Sequence, residues 1–466
     1  MSYTPKQLEF IEKARQRISQ DPRSRLSSVT KDVIERNNFV FDAHCHLFDS
    51  KCINVMYLAI RMIAGIPEML KPTAYKILTG NSMPHEMKIA STKELVENIY
   101  DDPSIIGSIS DVEEAVNKMK LNLDLIELER ATSNKVELSK LGLGEFLRRC
   151  RFILNLLGSK KMEDVYKSFR DKYGIHHVNR ELSGEDCELV TIALGMDLNM
   201  AWDNSIKKSQ QEQNKELSEL SAQYPVLPFL PIDPRRADHD NNSSEENLYD
   251  VFLSAFDSVE PKFFGVKCYP ALGYAPTDSR LKPIFQICAE KNIPIMTHCG
   301  GESVSTFAKP LFVNRNGIEQ EIKQSTRTAK ARILNEPIEW APVLEEFQGL
   351  KLCFGHFGSG KAWSEPNSIY SKRVQIIMDL MKKHQVYSDF SFNLESEQAT
   401  AKFMEKLKED NEEGDLIRSR TMFGTDFWVV LPMSNLNLDQ RKFLDQLGVM
   451  KENLLRKNVI SFLGLV

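Results

Sequence analysis

No C-x-x-C pair occurs in this 466-residue sequence, although it carries eight cysteines, at positions 45, 52, 150, 187, 268, 288, 299 and 353. Thiols scattered over so long a chain read as reduced cysteines in a cytoplasmic protein rather than as a disulfide framework. Charge of one sign is also lacking. Lys and Arg number 60 against 65 Asp and Glu, for a net charge of -5. Without a basic stripe there is no reason to expect a nucleic-acid partner. Long apolar runs are missing too. The most apolar stretch, "INVMYLAIRMIAGIPEML", is broken by Arg61 and Pro67 and falls short of a membrane span. The opening "MSYTPKQLEFIEKARQRIS" reads as a charged amphipathic helix without the apolar segment of a secretory signal. No internal repeat or low-complexity tract is evident. Together these absences lead us to expect a soluble cytoplasmic protein with a small-molecule partner, and compatible with a homodimer.

What is present is a series of short apolar runs, each ending in a polar or glycine-containing turn. They are "NNFVFDAHCH", "ELVTIALGMD", "PVLPFLPIDPRR", "KFFGVKCYP", "NIPIMTHCG", "LKLCFGHFG", "QVYSDFSF" and "RTMFGTDFW". From the second onward their spacing leaves room for a strand, a helix and two loops apiece. Helical patterns such as "LKPIFQICAEK", "PIEWAPVLEEFQ" and "RVQIIMDLMKKH" fill the gaps. Non-alternating strands between helices predict a parallel sheet covered on its outer face. Eight such units predict an α/β fold, a (β/α)8 TIM barrel. Residues from about 50 to 187 break the rhythm with helical patterns alone. They predict a helical insertion after the first strand, packed over the barrel mouth, with a separate helical domain as the alternative. The charged segment 205–222 predicts a solvated helix.

Histidine is scarce, with nine in the chain, yet four of the nine fall at predicted strand ends. One of these, His356, lies in "KLCFGHFGSGKAW", which nearly matches the phosphate-cradling G-x-x-x-x-G-K-[ST] loop. Ala362 replaces the hydroxyl residue that would hold magnesium, so a nucleotide site leaves the other histidines unexplained. Side chains at the C-terminal ends of barrel strands converge on one pocket. There the first strand supplies His44 and His46, the fourth Lys267, the fifth His298, the sixth His356 and the eighth Asp426. Neutral imidazoles with a carboxylate are the donor set of a divalent metal with one position left for water or substrate. Any one such histidine is more often a hydrogen-bonded structural residue; the ordered set is harder to explain that way.

The stretches "FDAHCHLF", "GVKCYPALGYAPTD", "PIMTHCG", "NEPIEWAPVLEEFQGLKLCFGHFG" and "MFGTDFW" resemble the metal-dependent amidohydrolase superfamily. The branch they are most similar to is the amidohydrolase-2 group, which includes aminocarboxymuconate-semialdehyde decarboxylase. The resemblance spans roughly 37–50 and 187–430 but not the insertion, and it implies one barrel domain over 1–466. It implies that His44, His46 and His298 bind the metal, with Asp426 as a further ligand and as the base in hydrolytic members. His356 would be a second-metal ligand or, beside a single metal, a general acid/base. Lys267 would be carboxylated between two metals or would hold an anionic substrate group. One zinc ion is the expected cofactor, with manganese or a second metal as alternatives.

Among weaker candidates, Arg235 in "IDPRR" could clamp a substrate carboxylate bidentately. Asp197 and Asp389 could orient ligands, and Tyr269 and Trp428 could line the pocket. The pair His176 and His177, and His85, read as surface residues. Cys45 reads as a small apolar wall residue rather than a nucleophile. The expected activity is hydrolysis of an amide, ester or lactone bond by metal-activated water. Non-oxidative decarboxylation on the same barrel is the alternative, and a catalytically silent barrel the remote one.

Overall fold

Residues 3–53, 71–80, 82, 112–132, 143–159, 161–202, 206–239, 247–300, 304–306, 308–324, 326–394, 396–427, 430–431 and 435–465 are described by a computed structural model. All eight predicted strands form: β1 (Phe39–Cys45), β2 (Glu188–Leu194), β3 (Val226–Ile232), β4 (Gly265–Cys268), β5 (Ile295–Thr297), β8 (Leu352–Phe354), β9 (Val386–Asp389) and β10 (Thr421–Met422). They pair in parallel in that order. The ring closes where Ala43 N donates to Phe423 O at 2.9 Å and Asp426 N to His44 O at 2.7 Å. The result is a (β/α)8 barrel.

Strand alternation divides the apolar residues between two cores. Phe41, Ala43, Val190, Ile192, Phe229, Met296, Cys353, Tyr387 and Met422 fill the barrel interior together with Val459 and Phe462 of the helix Asn458–Leu463. That helix caps the N-terminal ends of the strands, where Lys351 Nζ donates to Ser461 O. Val40, Leu189, Val226, Leu230, Val266 and Leu352 face outward against the helices. Each fully buried Phe or Leu contributes about 1.5–3 kcal/mol, so the two layers hold the strand register firmly. With its N-terminal end plugged by apolar residues, the barrel leaves only the C-terminal end for a polar site.

Two elements differ from the sequence-based expectation. The helix Gln210–Gln223 starts at a Ser209–Glu212 capping box, but it is not a solvated helix. Gln210, Gln213, Asn214, Leu217 and Leu220 are buried, and Glu216 pairs with Lys208, itself buried against Asp49. Amide side chains on the inward face disguised it. The segment after β5 contains an unforeseen hairpin, β6 (Phe312–Arg315) with β7 (Ile318–Glu321). Its turn, Asn316–Gly317, has φ of 54° and 88°, the paired positive values that Asn-Gly accepts.

Between β1 and β2 the described residues form helices Lys71–Thr79, Val112–Thr132, Leu143–Leu157, Met162–Tyr173 and Ile175–Ser183. Phe169 and Tyr173 pack their rings against Phe427 at 4.8 and 5.8 Å. The helix Met162–Tyr173 thus touches the residue next to Asp426. Among the described residues no helix is long and apolar enough to cross a membrane.

Candidate metal centre and active site

Strict alternation along β1 would aim His44 outward, because Phe39, Phe41 and Ala43 belong to the inner core. The pairing with β2 slips between Asp42 and Cys45, and Cys45 joins the outer core instead. This bulge reverses the parity and turns His44 and His46 into the site. His44 Nδ1 lies 2.9 Å from Asp389 Oδ2, while Nε2 is 3.6 Å from Asp426 Oδ1. His46 Nδ1 meets the Leu194 carbonyl at 3.1 Å, and its Nε2 is also 3.6 Å from Asp426 Oδ1. Two imidazole nitrogens therefore converge on one carboxylate oxygen.

Asp426 and His356 both hold left-handed backbone conformations, with φ of 50° and 62°. Non-glycine residues rarely adopt this region, and strain of this kind is retained where the surroundings impose it. At His356 the surroundings are explicit. Its N–H donates to Asp389 Oδ1 at 3.1 Å, and its carbonyl accepts from Asn393 Nδ2 at 2.8 Å. Glycines give the histidines room. A Cβ at Gly424 would stand 2.4 Å from His44 Cβ, and one at Gly355 would stand 3.0 Å from His44 Cε1. The glycine-rich turn after β8 thus serves a histidine pair rather than a phosphate.

His298, just past β5, faces His356, with Nδ1 3.2 Å from His356 Nε2. The Tyr269 ring stacks on His298 with centroids 4.2 Å apart and planes tilted by 24°. Lys267 lies on β4 between the outward-facing Val266 and Cys268, so it points into the barrel. Its Nζ is buried without a hydrogen-bond partner, 5.8 Å from the Tyr269 ring centre. Burial pushes this amine down to about 8, and the nearby Asp389 and Asp426 carboxylates pull the other way.

Burial also holds His44, His46, His298 and His356 well below the usual imidazole value. Neutral rings with a free lone pair are the metal-binding form. One nitrogen from each of His44 and His356 and one Asp426 oxygen lie within 4.8 Å of one another. His44 Nε2, buried and without a hydrogen-bond partner, is left open towards that cluster. Such a mixed nitrogen and oxygen set suits zinc or manganese.

The model of the amidohydrolase family matches residues 254–458, which take in β4, β5, β8, β9 and β10. Over that stretch the chain is similar to amidohydrolases. A search of the curated proteins finds no significant match. Among solved structures it is similar to a zinc-bound amidohydrolase from Burkholderia multivorans, at 9% identity over 62% of this chain and 87% of that one, TM-score 0.38. It is similar also to 5-carboxyvanillate decarboxylase from Novosphingobium aromaticivorans, with bound manganese, at 12% identity over 69% and 93%, TM-score 0.37. A third is dihydroxybenzoic acid decarboxylase from a Polaromonas species, with bound manganese and 2-nitroresorcinol, at 13% identity over 74% and 93%, TM-score 0.40.

This protein carries the donor set of a divalent metal in its His and Asp cluster. Its remaining candidate residues divide. Arg235 Nε and Nη2 both bind the Asp233 carboxylate, and Nη2 also reaches the Leu272 carbonyl. Asp197 is taken by Arg236 in a buried bidentate pair. Asp389 does touch the site, through His44 and His356. The rings of His176 and His177 lie 3.9 Å apart, tilted by 37°, on the helix Ile175–Ser183. All eight cysteines are free thiols, and burial pushes the Cys45 thiol far up, away from nucleophilic ionisation. Trp428 and His85 lie outside the described residues. Two contributors were not anticipated: Asp42, which accepts from His44 N and Thr425, and Ser391, which contacts His356 Nδ1. The signal for Asp42 was its place two residues before His44 in "FDAHCH".

Proposed function

We propose that this protein is a metal-dependent amidohydrolase that cleaves an amide, ester or lactone bond in a small, carboxylate-bearing substrate. The chain is read as one barrel domain, 1–466, with a helical insertion at about 50–187. One juxtaposition carries the reading: a His and Asp cluster at the top of the barrel beside the unpartnered, buried Lys267 amine.

His44, His46, His298 and Asp426 would hold the metal, one zinc ion being the simplest fit. When bound, it would polarise the scissile carbonyl and ease proton loss from water. Asp426 accepts the proton of the attacking water and returns it to the leaving group. His356, itself a member of that cluster, is the second proton carrier. The Lys267 ammonium binds the substrate carboxylate in a site that water barely enters, where charge pairing is strong. Tyr269, stacked on His298, walls the substrate in, and Arg235 is the further anion-binding candidate.

Non-oxidative decarboxylation is a second reading, and Lys267 favours it as well. A carboxylate held on a buried cation next to a proton-carrying histidine is placed for replacement of carbon dioxide by a proton. Zinc-loaded protein should be incubated with carboxylate-bearing lactones, esters and amides, and with unsaturated and aromatic carboxylates. Acid release without carbon dioxide is the expected result, and carbon dioxide release selects the second reading. Turnover of none of them by fully loaded protein overturns both.

A further inference from the structure

Ser391 and Asp389 form a short relay behind the two site histidines. Both are fully buried. Asp389 Oδ1 receives the Ser391 hydroxyl, the Ser391 N–H at 3.2 Å and the His356 N–H at 3.1 Å. Asp389 Oδ2 faces His44 Nδ1 at 2.9 Å, with the Cys353 thiol 3.8 Å away. The hydroxyl, the two N–H groups and the thiol are donors, and a carboxylate only accepts.

That constraint propagates. The Ser391 hydroxyl has one proton and gives it to Asp389. Its oxygen can then only accept from His356 Nδ1, 2.9 Å away. His356 must therefore carry its ring proton on Nδ1 and leave Nε2 bare. By the same logic Asp389 Oδ2 can only accept from His44, so His44 carries its proton on Nδ1 and its Nε2 is bare towards Asp426. Which nitrogen of an imidazole is protonated is set by the hydrogen bond at the other nitrogen.

We infer that Asp389, directly and through Ser391, is a positioning residue that fixes both His44 and His356 as Nδ1–H tautomers. Both rings then present a bare Nε2 to the site. His356 consequently starts the cycle as a proton acceptor or metal ligand, not as a proton donor. The inference deepens the proposed function and rests on it for its catalytic meaning, but the tautomer assignment stands on hydrogen-bond geometry alone.

The test is nitrogen NMR of the zinc-loaded enzyme labelled with 15N-histidine, with the His356 signals assigned by comparison with His356→Gln. The expected spectrum shows His356 protonated at Nδ1 and unprotonated at Nε2. In Ser391→Ala that pattern should give way to a tautomer mixture. The kcat should fall at least about tenfold, with KM and zinc content unchanged, because the tie from Asp389 to His44 is intact. Ser391→Thr keeps the hydroxyl and should restore the wild-type pattern. Asp389→Asn should in addition weaken zinc binding about 10–100-fold, the usual loss when the partner of a ligand histidine is removed. A wild-type His356 protonated at Nε2 overturns the inference, as does an unchanged tautomer in Ser391→Ala. Should the enzyme hydrolyse nothing, the proposed function falls while the spectrum still decides the tautomer. If it hydrolyses with His356 protonated at Nε2, only this inference falls.

Discussion

Asp42 and Thr425 join the first and last strands of the barrel across 383 residues of sequence. The Thr425 hydroxyl donates to Asp42 Oδ2 at 2.5 Å, and the Thr425 N–H donates to Oδ1 at 3.0 Å. The His44 N–H adds a third bond to the same carboxyl at 3.1 Å. This clasp aligns the segment bearing His44 and His46 with the one bearing Asp426. Thr425→Val keeps the shape but leaves one carboxyl oxygen without its hydroxyl donor. It should cost about 1–3 kcal/mol, the penalty for a buried unsatisfied polar group. Thr425→Ser should cost less, and denaturant titration compares the two.

Acid should destabilise the fold before carboxylates in general begin to titrate. The four site histidines are held neutral by burial, far below their ordinary value of 6.5. In the unfolded chain they take up protons as pH drops through 6.5. The unfolded state then binds more protons, and stability falls with pH. Asp42, pushed up to about 7 by burial, opposes this across the same range. One carboxyl does not offset four imidazoles at about 1.4 kcal/mol per unit each. The denaturation midpoint measured from pH 7.5 to 5.5 should decline; a flat profile would contradict the burial argument.

Lys267→Met should separate binding from folding. It removes a buried amine whose value is lowered from 10.5 to about 8, a penalty on the order of 3 kcal/mol. In the native protein this penalty is present below pH 8 and fades as pH rises towards 10.5, so stability should rise over that window. The variant should be more stable at neutral pH and lack the rise. It should also raise KM at least about tenfold for carboxylate-bearing substrates, with little change for neutral analogues.

Metal content should follow the cluster. Loaded protein should contain about one zinc per chain, and His44→Ala and Asp426→Ala should each lose it, as read by elemental analysis after dialysis. Retention of zinc by both variants would remove the cluster from consideration as the metal site.

Gly424→Ala tests the packing behind the site. Its new methyl would stand 2.4 Å from His44 Cβ and 2.8 Å from His44 N, and backbone cannot step aside as a side chain can. Overpacking of this kind costs about 1–3 kcal/mol. Here the shift would fall on His44, so zinc affinity should drop with stability. A variant that binds zinc normally would show that β1 has slack.

Much of this was legible in the sequence because barrel strands are short apolar runs, and the polar residues at their ends come together at one end of the barrel. His44, His46, His298, His356, Lys267 and Asp426 all sit at such ends. The β1 bulge was not legible, since the correct side for His44 and His46 follows from alternation only once a register slip is known. Nor was the engagement of Arg235 by Asp233 two residues before it, since the sequence alone does not say which carboxylate an arginine meets. Ser391 carried no signal, because its role exists only through the positions of Asp389 and His356. The β6–β7 hairpin has one local signal, its Asn316–Gly317 dipeptide, set inside a long polar loop.

The clasp between Asp42 and Thr425 also dates the site during synthesis. A ribosome that has released the first four hundred residues has made all four site histidines, yet Asp426 and the last strand are still to come. Until they emerge, β1 and β9 are unpaired edges, ready to bond to another chain. Barrel closure is therefore a late event, and a chain cut short before Thr421 has all four histidines but neither Asp426 nor the strand that closes the ring.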